Sequence, residues 1–237
     1  MRHKNQELVE SVFRNLDAWV AQFGPEKYVP EDFIVGTQVA HGIQQVRKEI
    51  FAFVEILVAK RLRGSILEIG LGVNGSTHKL WRDIFSQVVT IEMHDFLVTR
   101  FLENLKKFDK ENCEEEKSEL IIGMSHSPDI VNQVYSRLSN GIDVLFIDGD
   151  HSYPAVLSDW LLYHNLVCPG GIVAFHDSAC SAYEVTPFIR KLDRGEIDGK
   201  KRHMKHIIYS QSVGISYYEV TPDLAEPCLF NSPFLED

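Results

Sequence analysis

Apolar positions follow two different rhythms along the chain. Over residues 6–23, Val9, Phe13, Leu16, Val20 and Phe23 recur at intervals of four and three, one face of a helix, and Gly24-Pro25 ends it. A second helical run extends from about Val39 to Leu62 through Ile43, Val46, Ile50, Phe53, Val54, Leu57 and Val58. Prolines and a glycine within 26–36 predict irregular chain between the two. From Gly64 the rhythm changes. Short apolar runs at 65–69, 87–92, 119–122, 143–147 and 172–175 alternate with helical stretches near 76–84, 95–108, 129–138 and 154–166, which predicts βαβ units and a parallel sheet. Cys168-Pro169-Gly170-Gly171 is expected to turn into the fifth strand. The runs 205–210 and 213–219, separated by Gln211-Ser212, predict a β-hairpin. The chain is expected to form a single domain, with a helical extension over 1–62, a core over 63–220 and an irregular tail over 221–237.

In such sheets ligands bind outside the carboxyl ends of the strands, and polar residues gather there. The first strand runs into Glu68-Ile69-Gly70-Leu71-Gly72-Val73-Asn74-Gly75-Ser76-Thr77. Its glycines spell G-x-G-x-x-G, a turn that lets backbone approach a ligand, and Ser76 and Thr77 suit a helix N-cap. The second strand ends in Glu92, where a carboxylate would grip two ribose hydroxyls. A nucleoside-bearing ligand is therefore expected. Glu68 would stand badly beside a pyrophosphate and well beside an amino group and a sulfonium, which favours S-adenosylmethionine over a dinucleotide.

Ser125-His126, Asp148-Gly149-Asp150-His151 and His176-Asp177-Ser178 close the next three strands. Asp148 and Asp177 end neighbouring strands, so their carboxylates can meet. Close carboxylates repel unless they share a proton or a cation, and Mg²⁺ or Mn²⁺ would satisfy both, with His176 as a nitrogen ligand. The alternative is that Asp150 or Asp177 only caps the following helix. His151, three residues past Asp148, can reach a bound acceptor and take a proton near neutral pH. It would otherwise order its own loop, bonded to Asp150.

Glu68-x-Gly70-x-Gly72 resembles the first motif of class I S-adenosylmethionine-dependent methyltransferases. Phe146-Ile147-Asp148-Gly149-Asp150-His151-Ser152-Tyr153, then Asp159, then Pro169-Gly170-Gly171-Ile172-Val173-Ala174-Phe175-His176-Asp177 resemble the metal-dependent O-methyltransferase group, which includes catechol and macrocin-type enzymes and cephalosporin-hydroxylase-like proteins. The resemblance covers roughly residues 40–220. It implies a Rossmann-like three-layer αβα sandwich with a seven-stranded, mostly parallel sheet closed by an antiparallel hairpin. It also implies methyl transfer to a hydroxyl of a small molecule. On the positions that match, Glu68, Gly70, Gly72 and Ser76 hold the methionine part of the cofactor, Glu92 the ribose, and Met124, Ser125 and His126 flank the adenine. Asp148 and Asp177 are metal ligands, with Asp148 also bordering the cofactor and taking part in catalysis. His151 stands where the catechol enzymes have a catalytic lysine. Ser178 replaces an asparagine ligand, and His176 stands where the sugar-methylating branch has an acid. A helix bordering the cofactor is common in the class near Gln44, Gln45 and Glu49, which receive no role. Two other readings stay open: an NAD(P)-dependent oxidoreductase, which lacks a Tyr-x-x-x-Lys pair, and a cofactor-binding protein without catalysis.

Composition narrows the partners. A formal charge of −10 over 237 residues argues against nucleic acid and against an anionic membrane. Cys113, Cys168, Cys180 and Cys228 are scattered, with no C-x-x-C pair, which suits a reducing cytoplasm. The first residues lack the apolar core of a signal peptide, and no apolar run approaches the roughly 18 residues of a membrane span. The stripe over 6–23 suits packing on the domain or contact with a second copy. His41, His78, His94 and His164 are expected to be surface or helix residues without chemistry. The charged run 106–117 and the basic cluster around His203 and His206 are expected to be solvated. Acceptor-specifying loops are expected within 1–40, 126–129, 178–204 and the tail.

Overall fold

The computed structural model describes residues 2–23, 45–108, 118–209 and 212–224. The irregular stretch 26–36, the helix start before residue 45 with His41 and Gln44, most of the charged run, Gln211, Cys113, Cys228 and the tail beyond residue 224 lie outside the described residues.

Two helices precede the sheet, α1 (Arg2–Phe23) and α2 (Arg47–Lys60). The apolar stripe of α1 is spent inside the chain: Val9, Val12, Phe13, Leu16, Trp19 and Val20 are buried, with Phe13 against Phe51 and Trp19 against Phe101. The contact with a second copy therefore has no stripe left to use. Arg47 clamps Asp17 through both carboxylate oxygens and joins the two helices.

The sheet and its crossovers follow as β1 (Ser65–Ile69), α3 (Ser76–Arg82), β2 (Gln87–Glu92), α4 (Asp95–Phe108), β3 (Ser118–Ile122), α5 (Pro128–Arg137), β4 (Ile142–Ile147), α6 (Tyr153–Tyr163), β5 (Val167–Phe175), α7 (Val185–Arg194), β6 (Lys205–Ile207) and β7 (Ile215–Glu219). The strand order is β3-β2-β1-β4-β5-β7-β6. The strands from β1 to β5 pair in parallel, whereas β7 runs antiparallel to β5 and to β6. Strand alternation feeds two cores. Ile66, Val88, Val144, Phe146 and Ala174 pack under the first four helices. Leu67, Val89, Leu145, Val173 and Phe175 pack under the last three. This is the expected αβα sandwich. Its chain order reverses between β1 and β4, so a crevice opens outside their carboxyl ends.

Three local expectations are corrected. The stretch 168–171 belongs to β5 and bulges from it: Ile142 pairs with Val167, but Val144 already pairs with Ile172. Residues 185–194, expected within a loop, form α7, because Val185, Phe188, Ile189 and Leu192 make a buried helical face. The N-cap of α3 is Gly75, at φ 58, rather than Ser76 or Thr77. A side chain at Gly75 would run into the Phe101 ring, 2.9 Å from its Cγ, so the polar residues move one step into the helix.

Candidate active site

The turn after β1 folds tightly against the end of β4. The Asp148 N–H donates to Ile69 O at 2.9 Å. Gly70 sits at φ 98, with no room for a side chain against the Asp148 backbone. The following turn presents Ser76, 4% exposed, whose Oγ has no hydrogen-bond partner among the described residues. Glu92 closes β2 with one carboxylate oxygen accepting from the Leu71 N–H (3.1 Å) and the other from the His94 N–H (2.9 Å). The acid is thereby aimed and fixed before any ligand arrives.

A cavity of about 580 Å³ runs from this turn across the strand ends, lined by Gly70, Gly72, Glu92, Met124, Ser125, His126, Asp148, His151, His176 and Asp177. Most of the residues picked out by motif thus meet in one space. Met124 is half exposed at its rim. Ser125 donates to Asp159 at 2.5 Å, and burial pushes Asp159 up to about 6 against that bond. Asp159, which received no role from the sequence, lines the same cavity.

At the far end the acids and histidines interlock. His151 Nε2 lies 2.8 Å from Asp177 Oδ2 and 3.9 Å from Asp148 Oδ1. His176 Nδ1 lies 2.9 Å from Asp148 Oδ1 and 3.0 Å from Asp177 Oδ2. Burial alone would lower both histidines, but the two carboxylates outweigh it, so His151 is pushed up to about 9 and His176 to about 10. Burial alone would raise Asp177, and the two histidines instead hold it well below the usual carboxylate range. Asp177 takes φ 55, a left-handed conformation that aspartate tolerates better than most residues. Asp150 accepts from the Ser152 N–H at 2.8 Å and so orders the turn, while also lining the cavity. His151 pairs with Asp177 and stacks on Tyr183 at 4.2 Å and 16°. Its loop is anchored from the neighbouring one. The Glu184 N–H donates to His151 O (3.0 Å), and the Glu184 carboxylate accepts from the Tyr153 N–H (2.9 Å).

Glu68 does not join this site. Strand alternation places it on the face of Ile66, fully buried, where its carboxylate accepts from Trp81 Nε1 (2.9 Å) and Thr90 Oγ1 (2.7 Å). Burial pushes it up to about 8, only partly offset by bonds from Thr90, Thr77 and Trp81. His78, expected without chemistry, is fully buried beside it, linking Thr90 Oγ1 (2.7 Å) and Ser118 Oγ (2.9 Å). Burial and the charges of Arg82 and Lys79 lower His78 to about 3. His94 lines the cavity, although it was expected to be a plain surface residue.

Residues 73–178 match the family model described as a methyltransferase domain. The match covers less than half of the chain. Solved structures share the fold of this chain at low identity. The MycE methyltransferase from the mycinamycin biosynthetic pathway, solved with Mg, SAH and mycinamycin VI, has a TM-score of 0.54 at 16% identity, over 87% of this chain and 54% of that one. The O-methyltransferase from Bacillus cereus, solved with SAH, has a TM-score of 0.52 at 17% identity, over 90% of both chains. The SAH-bound Podospora anserina methyltransferase PaMTH1 has a TM-score of 0.52 at 15% identity, over 89% of this chain and 87% of that one. The uncharacterized protein R132 of Acanthamoeba polyphaga mimivirus is 50% identical over 44 residues, 19% of this chain and 20% of that protein. Against MycE, the chain spans about half the length. No helix among the described residues is long and apolar enough to cross a membrane.

The group of potential metal ligands among the described residues is Asp148, His151 and Asp177, whose ligand atoms lie within 4.8 Å of one another. His176 stands outside this group. Its Nδ1 lies within hydrogen-bonding reach of both carboxylates, and a nitrogen that donates a proton there has no lone pair for a cation.

Proposed function

We propose that the chain transfers a methyl group from S-adenosylmethionine to a hydroxyl of a small molecule. One observation carries this reading. The cavity of about 580 Å³ has an acid, Glu92, at one end and a histidine beside two aspartates at the other. The cofactor is already an activated electrophile, so the protein has to align donor and acceptor and remove one proton. Gly70 and Gly72 give the cofactor room, and the buried Ser76 Oγ, without a partner among the described residues, waits for a polar group of its methionine end. Met124, Ser125 and His126 border the adenine. His151 takes the hydroxyl proton. Asp177 orients its ring from one side and Tyr183 stacks on its face.

A divalent cation fits the carboxylates of Asp148 and Asp177, and His151 Nε2 lies close enough to join them only in place of acting as the base. Mg²⁺ or Mn²⁺ held there would supply the acidification of a bound hydroxyl. Excess EDTA is expected to suppress methyl transfer, and Mg²⁺ or Mn²⁺ to restore it, with SAH affinity nearly unchanged. Full activity in EDTA, with no metal by elemental analysis, would rule out the cation.

The cofactor is tested by calorimetry. SAH is expected to bind the chain and NAD(P)H not to bind. Glu92→Ala is expected to weaken SAH by about 1–3 kcal/mol through lost charge-assisted hydrogen bonds. Unchanged affinity in a folded variant would remove Glu92 from the site. Cofactor binding without product on any hydroxyl substrate would favour a non-catalytic binding protein.

A further inference from the structure

Gln45 enters the crevice just ahead of α2 and is 1% exposed. Its Nε2 donates to Asp148 Oδ2 at 2.7 Å. A carboxylate accepts and does not donate, so this bond fixes which way the amide faces. Oε1 is therefore turned elsewhere, and it is buried with no hydrogen-bond partner among the described residues. Gln45 lines a cleft of about 20 Å³ between the glycine turn and Asp148, together with Ser76, whose Oγ is likewise buried and unpartnered. The cleft shares Gly70, Gly72 and Asp148 with the large cavity.

Size and charge narrow what this cleft takes. A volume of about 20 Å³ holds one water-sized group. A carboxylate is larger, and it would face the acceptor Oε1 and the Asp148 carboxylate. A primary ammonium has the right size, brings three donors and carries the complementary charge. Leaving Gln45 Oε1 buried without a donor would be costly, which makes the site selective for a ligand that supplies one.

We propose that Gln45 is a positioning residue for the amino-acid end of the cofactor. Its Oε1 accepts from the ammonium while its Nε2 holds Asp148, so one amide ties the seat of the ligand to an acid beside the acceptor. The inference rests on the S-adenosylmethionine reading above.

The test compares two ligands on the full chain by calorimetry: SAH, and 4-(5′-adenosylthio)butanoate, which is SAH without its amino group. The wild-type chain is expected to prefer SAH by about ten- to a hundredfold. Gln45→Met keeps the shape and removes both hydrogen bonds. It is expected to lose most of that preference, with SAH weakened by the same factor and the deaminated ligand unchanged. Unchanged binding of the deaminated ligand also certifies a folded site. Equal weakening of both ligands would make Gln45 a packing residue and overturn the proposal, as would a preference that persists in the variant. Failure of SAH to bind the wild-type chain would overturn the cofactor reading itself, and this inference with it.

Discussion

His151→Ala is expected to lower kcat about 10²–10⁴-fold, the usual loss for a general base, with little change in SAH affinity. The ring's partners among the described residues are Asp177, Asp148 and Tyr183. The pH profile gives the sharper readout. A base works deprotonated, so the wild-type rate rises with pH until His151 has lost its proton. An ordinary histidine would put that limb near 6.5. Burial alone would move it lower, but Asp148 and Asp177 outweigh burial and push His151 up to about 9, which places the limb on the alkaline side. A cation on the two aspartates would cancel their charge and draw the limb back toward acid. Measuring kcat against pH, with and without EDTA, reads both effects. A variant with near-normal kcat and an unchanged profile would return His151 to ordering its loop.

Gly70→Ala is expected to abolish SAH binding and to destabilise the fold by roughly 3 kcal/mol or more, as overpacking and backbone strain add. At φ 98 an alanine is strained, and its Cβ would overlap the Asp148 carbonyl oxygen and sit 2.9 Å from the carbonyl carbon. These are backbone atoms at the paired ends of β1 and β4, so relief requires prising the two strands apart where the cavity begins. Gly170→Ala is the matched control. It has φ 90 but nothing within 4 Å, leaving only the conformational penalty of about 1–2 kcal/mol. Urea unfolding of both variants separates the two contributions. Equal destabilisation would mean that the close approach at Gly70 is relieved without cost.

Much of this was legible in the primary structure because strand ends advertise themselves. Glu92, Asp148, His151, His176 and Asp177 each close a strand or follow one closely, and a parallel sheet brings such positions to one edge. The misreading of Glu68 has a plain cause. It sits inside β1, where alternation decides the face, and that face belongs to Trp81 and Thr90. Spacing from a glycine says where a residue lies along the chain but not toward which layer it turns. Helix α7 carried a readable signal in Val185, Phe188, Ile189 and Leu192, obscured by the polar loop leading into it. Gln45 was placed by the resemblance near a cofactor-bordering helix but given no role, for another reason. Its importance lies in a bond to Asp148, 103 residues away, and no local pattern marks a glutamine for that.

The buried line from Ser118 through His78 and Thr90 to Glu68 can be wired in two directions. With Glu68 ionised, hydrogens point toward it: Ser118 donates to Nε2, Nδ1–H to Thr90, and the threonine hydroxyl to the acid. With Glu68 protonated, its own hydrogen turns to Thr90, the threonine turns to Nδ1, and the histidine carries its proton on Nε2 toward Ser118. A single proton arriving at β1 thus reverses the polarity of a line reaching β3 and selects the tautomer of His78, while every heavy atom keeps its place.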